Sequence, residues 1–118
     1  MRVISGIAKG TRLETLEGNS TRPTLDRVKE ALFNIIQTNI KEANVLDLFA
    51  GSGALAIEAL SRGAKHAILC DKSNYAIKII KRNLEKTHLE ENAQIINSDY
   101  NKALNSYKGT KFDLIFID

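Results

Sequence analysis

The sequence predicts an α/β fold built on a parallel sheet, and three observations carry that expectation. From Asn44 onward, short apolar runs alternate with stretches of helical periodicity. A glycine-rich turn, Gly51-Ser-Gly53, follows the first of those runs. The last run, residues 112–117, is apolar at nearly every position, which is the pattern of a strand covered on both faces.

The elements follow in order. Residues 2–5 and 12–16 alternate in polarity around a glycine-bounded connection at 6–10, and read as two strands of a loose hairpin. Arg22-Pro23 ends extended structure, and residues 25–38 read as a helix with Val28, Ala31, Leu32, Ile35 and Ile36 on one stripe. Thr24 is its expected N-cap, with Asp26 in the first turn, where the helix dipole favours an anion. A strand at 45–49 leads through the glycine turn into a helix at 54–62, closed by Gly63. Next come a strand at 67–70, a helix at 74–86 that buries Ala76, Ile77, Ile80 and Leu84, and a strand at 93–96. A short helix at 102–106 and the strand at 112–117 complete the pattern.

The 118 residues fit one compact domain, and 43% hydrophobic with 26% charged residues supports a buried core and argues against global disorder. No apolar run approaches the ~20 residues of a membrane helix, and the start lacks a secretory signal. Cys70 is the single cysteine, so no internal disulfide forms and a cytoplasmic setting is expected. The net charge of +3 is uneven. Residues 1–29 hold six Lys/Arg against three acids, whereas residues 30–118 balance eleven against eleven. A basic N-terminal arm, residues 1–23, with Arg2, Lys9 and Arg12 on its hairpin, points to a polyanion such as RNA; the plainer reading is a solvated surface. Residues 24–118 then form the second part of the chain.

In an open parallel sheet, ligands bind beyond the carboxyl ends of the strands, at the point where strand order reverses. The predicted strands end on acids: Asp47 lies just before the glycine turn, Asp71 ends the second strand, Asp99 follows the third and Asp118 ends the fourth. Asp71 lies 18 positions beyond Gly53, near the ~20 expected for an acid that accepts ribose hydroxyls. The turn at Gly51 and Gly53 permits close approach of a nucleotide ligand, but a pyrophosphate and a methionine tail both remain open at that point. Asp47 favours the second, because a carboxylate there repels a pyrophosphate and attracts an ammonium. S-adenosyl-L-methionine is therefore preferred over NAD. Each acid also has a local reading: Asp47 as a turn-stabilising acceptor, Asp71 as a helix cap, and Asp99 as either an adenine contact or the cap of the short helix. Phe49, Lys72 and Tyr100 adjoin these residues and complete the expected cofactor-binding set. Cys70 reads as core, His66 and His88 lack metal-ligand spacing, and no metal is expected.

Two longer stretches carry a resemblance: Arg22-Pro-Thr-Leu-Asp-Arg-Val-Lys-Glu-Ala-Leu-Phe-Asn34 and Asp47-Leu-Phe-Ala-Gly-Ser-Gly-Ala-Leu-Ala-Ile-Glu-Ala-Leu-Ser-Arg-Gly-Ala64. Through them, and through nearly its whole length, the chain resembles the bacterial 16S ribosomal RNA guanine-N2 methyltransferases of the RsmD type. That resemblance implies a Rossmann-like S-adenosylmethionine-dependent methyltransferase fold with parallel strands in the order 3-2-1-4. It implies Asp47, Gly51 and Gly53 at the methionine side of the cofactor, Asp71 at the ribose, Asp99 at the adenine, and Arg22 and Thr24 near the methionine end. It also implies that the basic hairpin approaches 16S ribosomal RNA, within a small-subunit assembly particle. In the family the fourth strand runs into an Asp-Pro-Pro-Tyr motif that orients the target amine, and Asp118 stands at the position of that Asp. The expectation is an N-terminal part of such an enzyme, with low activity alone and with a fourth strand exposed for self-association. A catalytically silent module binding RNA and cofactor, and a dinucleotide-dependent oxidoreductase domain, are the alternatives.

Overall fold

The computed structural model describes residues 1–16 and 23–118, with Pro23 and Thr24 described by their backbone alone. Arg22 lies outside the described residues. Four helices, α1 (Pro23–Ile36), α2 (Ala54–Ser61), α3 (Asn74–Thr87) and α4 (Tyr100–Ser106), alternate with four strands, β1 (Asn44–Asp47), β2 (His66–Asp71), β3 (Ala93–Asn97) and β4 (Leu114–Phe116). All strand pairs are parallel, in the order β3-β2-β1-β4. The predicted sheet is the observed one. Its order reverses between β1 and β4, so the crevice for a ligand lies above the carboxyl ends of those two strands.

Alternation along the strands explains the layers. Val45, Ala67 and Leu69 face a large core shared with α2 and α3, whereas Leu46, Ile68 and Cys70 face a smaller one closed by Ala103 of α4. The expected buried stripe of α3, Ala76, Ile77, Ile80 and Leu84, is buried. Ser73 caps α3 by accepting the Ala76 amide at 3.2 Å, and Asp99 caps α4 by accepting the Lys102 amide at 2.8 Å.

Three expectations need correction. α1 begins at Pro23, so Thr24 sits inside its first turn and does not cap it, consistent with proline's suitability for the first helical position. The apolar stripe of α1 meets the core only in part: Leu32 and Ile36 pack against it, but Val28 and Ile35 are 61% and 79% exposed, while Asp26, Lys29 and Phe33 are buried. Charged residues facing the core displaced the apolar reading because partners elsewhere in the chain neutralise them. Finally, β4 is covered on one face only; Phe116 is buried, but Ile115 and Ile117 face outward at the sheet edge.

The N-terminal hairpin forms an antiparallel bridge between Arg2 and Arg12, supported by Val3 N–H to Thr11 carbonyl (2.9 Å) and Leu13 N–H to Met1 carbonyl (2.8 Å). It is fastened to the core by Val3, Ala8 and Leu13. A polar anchor adds to this. Glu58, fully buried on α2, accepts the amides of Ile4 (2.9 Å) and Ser5 (3.1 Å), while Ser61 accepts the Ala8 amide and donates to the Ser5 carbonyl.

Candidate functional site

The glycine turn between β1 and α2 sets the site. Gly53 has φ +84°, a conformation that residues with a Cβ adopt at a cost, and a Cβ there would meet Leu69 Cδ2 at 3.1 Å. Gly51, at φ +58°, donates its amide to Asp71 Oδ2 at 2.9 Å, tying the turn to the end of β2. Gly53 therefore acts as a turn and packing residue beneath the site, whereas Gly51 borders the open space.

A cleft of about 550 Å³ opens at the reversal of strand order, with Asp47, Phe49 and Gly51 on the β1 side and Phe116 and Asp118 on the β4 side. Asp47 is 1% exposed, and neither carboxylate oxygen has a hydrogen-bond partner among the described residues. A backbone amide still acts on Asp47, that of Phe49, so the turn-stabilising reading keeps one weak contact outside full hydrogen-bond geometry. Burial pushes its pKa up to about 7; the nearby Phe49 amide opposes the rise, and the charges of Asp118 and Asp71 add to it. A buried, unsatisfied carboxylate facing a cleft is costly unless a cation completes it.

A second hollow of about 330 Å³ lies on the other side of Phe49, bounded by Asp71, Lys72, Asp99 and Tyr100. The rings of Phe49 and Tyr100 lie 5.5 Å apart, tilted by 43°, and both are partly exposed. Asp71 accepts from Gly51 and from the Ser73 amide (2.9 Å), which uses one bond per oxygen and leaves lone pairs for ligand hydroxyls. Asp71 does not cap α3, a task that falls to Ser73. Asp99 does cap α4 and also borders this hollow, so its two readings coexist. The two hollows meet at Phe49 and together offer an elongated site with an anionic end and an aromatic end. Burial pushes the Cys70 thiol pKa up, in keeping with a core role.

On the hairpin, the bridge sets Arg2 and Arg12 opposite each other, and both line a hollow of about 300 Å³. Lys9 lines a neighbouring hollow, with Arg2 and Arg27. The side chain of Thr24 lies outside the described residues.

Sequence reasoning missed Glu58 and Lys29. Lys29 Nζ lies 3.2 Å from Glu58 Oε1 and donates to the Arg2 carbonyl at 2.7 Å, while Arg62 Nε reaches Glu58 Oε2 at 2.8 Å. Burial pushes the Lys29 pKa down, and the Glu58 carboxylate opposes that shift. The available signal was a lone acid inside the otherwise apolar helix Ala-Leu-Ala-Ile-Glu58-Ala-Leu.

Comparison with known proteins gives a consistent result. The family described as conserved hypothetical protein 95 matches residues 1–118. The putative rRNA methyltransferase YlbH of Bacillus subtilis is 48% identical over 120 residues, covering all of this chain and 65% of that protein. Ribosomal RNA small subunit methyltransferase D of Escherichia coli K12 is 40% identical over 118 residues, covering all of this chain and 59% of that protein. The chain thus spans about three fifths of the length of these curated relatives. Among solved structures, the putative methyltransferase yhhF from Escherichia coli superposes with a TM-score of 0.76 at 40% identity, over 88% of this chain and 56% of that one. Among the described residues, no helix is long and apolar enough to cross a membrane.

Proposed function

We infer that this chain, which belongs to the conserved hypothetical protein 95 family, the RsmD family, is the cofactor-binding part of an S-adenosyl-L-methionine-dependent ribosomal RNA methyltransferase. The observation that carries this reading is Asp47, a wholly buried carboxylate with unpartnered oxygens at the reversal of strand order. The ammonium of a methionyl group completes it, whereas a pyrophosphate would add anion to anion.

The residues present fit the cofactor. Asp47 would hold the methionyl ammonium, Gly51 would let the backbone approach, and Asp71 would accept the ribose hydroxyls. Phe49, Lys72, Asp99 and Tyr100 would enclose the adenine, with Arg22 and Thr24 toward the methionine end. The cofactor, when bound, supplies an electrophilic methyl group. Asp118, on the β4 side of the same cleft, would orient the acceptor amine and take up its proton, so that transfer rests mainly on placing the amine in line. The acceptor in this proposal is the exocyclic N2 amine of a guanine in 16S ribosomal RNA, presented within a small-subunit assembly particle in the cytoplasm, with Arg2, Lys9 and Arg12 contacting the RNA. Self-association through β4 belongs to the same proposal.

Calorimetric titration with S-adenosylhomocysteine and, in parallel, with NAD tests the cofactor assignment. Saturable binding of the first and none of the second is expected, with Asp47→Ala weakening the first at least tenfold, on the order of one lost charge-assisted contact. Binding of NAD alone would overturn the reading.

A further inference from the structure

We propose that α3 supplies half of the RNA interface: Arg82 and Lys86 join Arg2 and Arg12 around one phosphate-binding groove that leads to the methyl-transfer cleft. The proposal rests on the ribosomal RNA methyltransferase reading above and names the surface that reading requires.

The linear charge count placed the whole basic surplus at the N-terminus, because residues 30–118 balance. Folding redistributes it. Lys86, in the last turn of α3, lines the same hollow as Arg2 and Arg12, which are far from it in the chain. Arg82 is one helical turn earlier, on the same side of α3, with its side chain 59% exposed. Three cations therefore line the groove, Arg2, Arg12 and Lys86, against two acids, Glu14 and Asp26, and Arg82 stands beside it against Glu14. Both acids are already engaged: Asp26 faces Arg2 (Oδ2 to Nε 4.0 Å) and accepts its amide, and Glu14 Oε1 lies 3.6 Å from Arg82 Nη1. Arg12 and Lys86 make no ion pair among the described residues. Two cations in the lining of a groove, with no acid paired to them among the described residues, favour a polyanion, whose condensed counterions they release on contact.

Position supports the same occupant. Met1 forms part of the wall of this groove and part of the wall of the cleft that holds Asp47 and Asp118. A strand whose phosphates lie along Arg12 and Lys86 passes Met1 and can present a neighbouring nucleotide to that cleft. The groove itself contacts backbone, so it would set register and affinity while leaving base choice to the cleft.

The test is fluorescence anisotropy of the chain with a labelled RNA hairpin across a salt series. Lys86→Ala is expected to weaken binding roughly fivefold near physiological salt and to lower the slope of log K against log salt by ~0.7–0.9, the signature of one lost phosphate contact. Arg82/Lys86 double alanine replacement should lower it further, Lys86→Arg should restore it, and Lys111→Ala, on the chain leading into the amino end of β4, should leave it unchanged. Thermal melts of each variant verify that the fold is kept. An unchanged slope for Lys86→Ala, with a reduced one for Arg12→Ala, would leave RNA binding standing and overturn the role of α3. Failure of the parent chain to bind RNA at low salt, with S-adenosylhomocysteine still bound, would overturn the groove together with the RNA reading, and the cofactor assignment would survive.

Discussion

Asp47 combines two demands that oppose each other. As the floor of a cleft it has to meet a cation, and as a core residue of β1 it has to tolerate burial without a partner. With its pKa raised to about 7 in the folded chain, it is neutral in mild acid and charged above neutrality. The folded state then binds a proton that the unfolded chain has released, between the ordinary carboxylate value and about 7. Stability attributable to Asp47 is therefore highest in acid and is lost as pH rises through that window. Asp47→Asn should relieve this, and its stability relative to the parent should improve by about 2–3 kcal/mol between about pH 5 and about pH 8. Urea denaturation at the two pH values checks it; a difference between the proteins that does not change with pH would show that Asp47 stays charged throughout. The same carboxylate was conspicuous in the sequence because it preceded a glycine turn. The depth at which both its oxygens are buried was not, since that depends on the register of β4 and on the path of the turn.

At the scale of elements, legibility followed the kind of force that fixes each one. β1, β2 and α3 are held by apolar periodicity, which is local, and their buried positions could be read directly. The orientation of α1 is set by Asp26 and Lys29 as well, whose burial depends on Arg2 and Glu58 at distant positions, so periodicity alone placed Leu32 and Ile36 against the core but not Val28 or Ile35. The hairpin depends on the same acid, since Glu58 holds the Ile4 and Ser5 amides, the Lys29 ammonium and the Arg62 guanidinium, which also lies 5.1 Å over the Phe33 ring. Removing one partner from such a cluster leaves buried charge uncompensated, a far larger loss than an exposed ion pair would cause. Glu58→Gln should therefore cost about 3 kcal/mol or more, and amide exchange at Ile4 and Ser5 should accelerate before global unfolding. A loss below about 1 kcal/mol, with protection of those amides intact, would mean that apolar contacts of Val3, Ala8 and Leu13 hold the hairpin unaided.

For the whole molecule, the question is what the edge of the sheet does in solution. β4 hydrogen-bonds to β1 on one side, and no described strand pairs its other side. Register places Ile115 beside Leu46 on the face packed by α4, yet Ile115 is 51% exposed and Ile117 is 72% exposed, so α4 does not reach across to cover them. An apolar edge with free backbone groups is a template for another strand, and a second copy of the same edge satisfies both the hydrogen bonds and the apolar face at once. The chain is expected to show concentration-dependent self-association by sedimentation velocity. Ile117→Lys should suppress it, because a charge at the end of an edge strand opposes pairing, with little change in stability at so exposed a position. Continued association of the Ile117→Lys variant would move the contact to another surface, the exposed Val28 and Ile35 of α1 being the next apolar pair to replace. A parent chain that remains monomeric at every concentration would show that the twist and brevity of a three-residue strand are enough to protect the edge without any covering element.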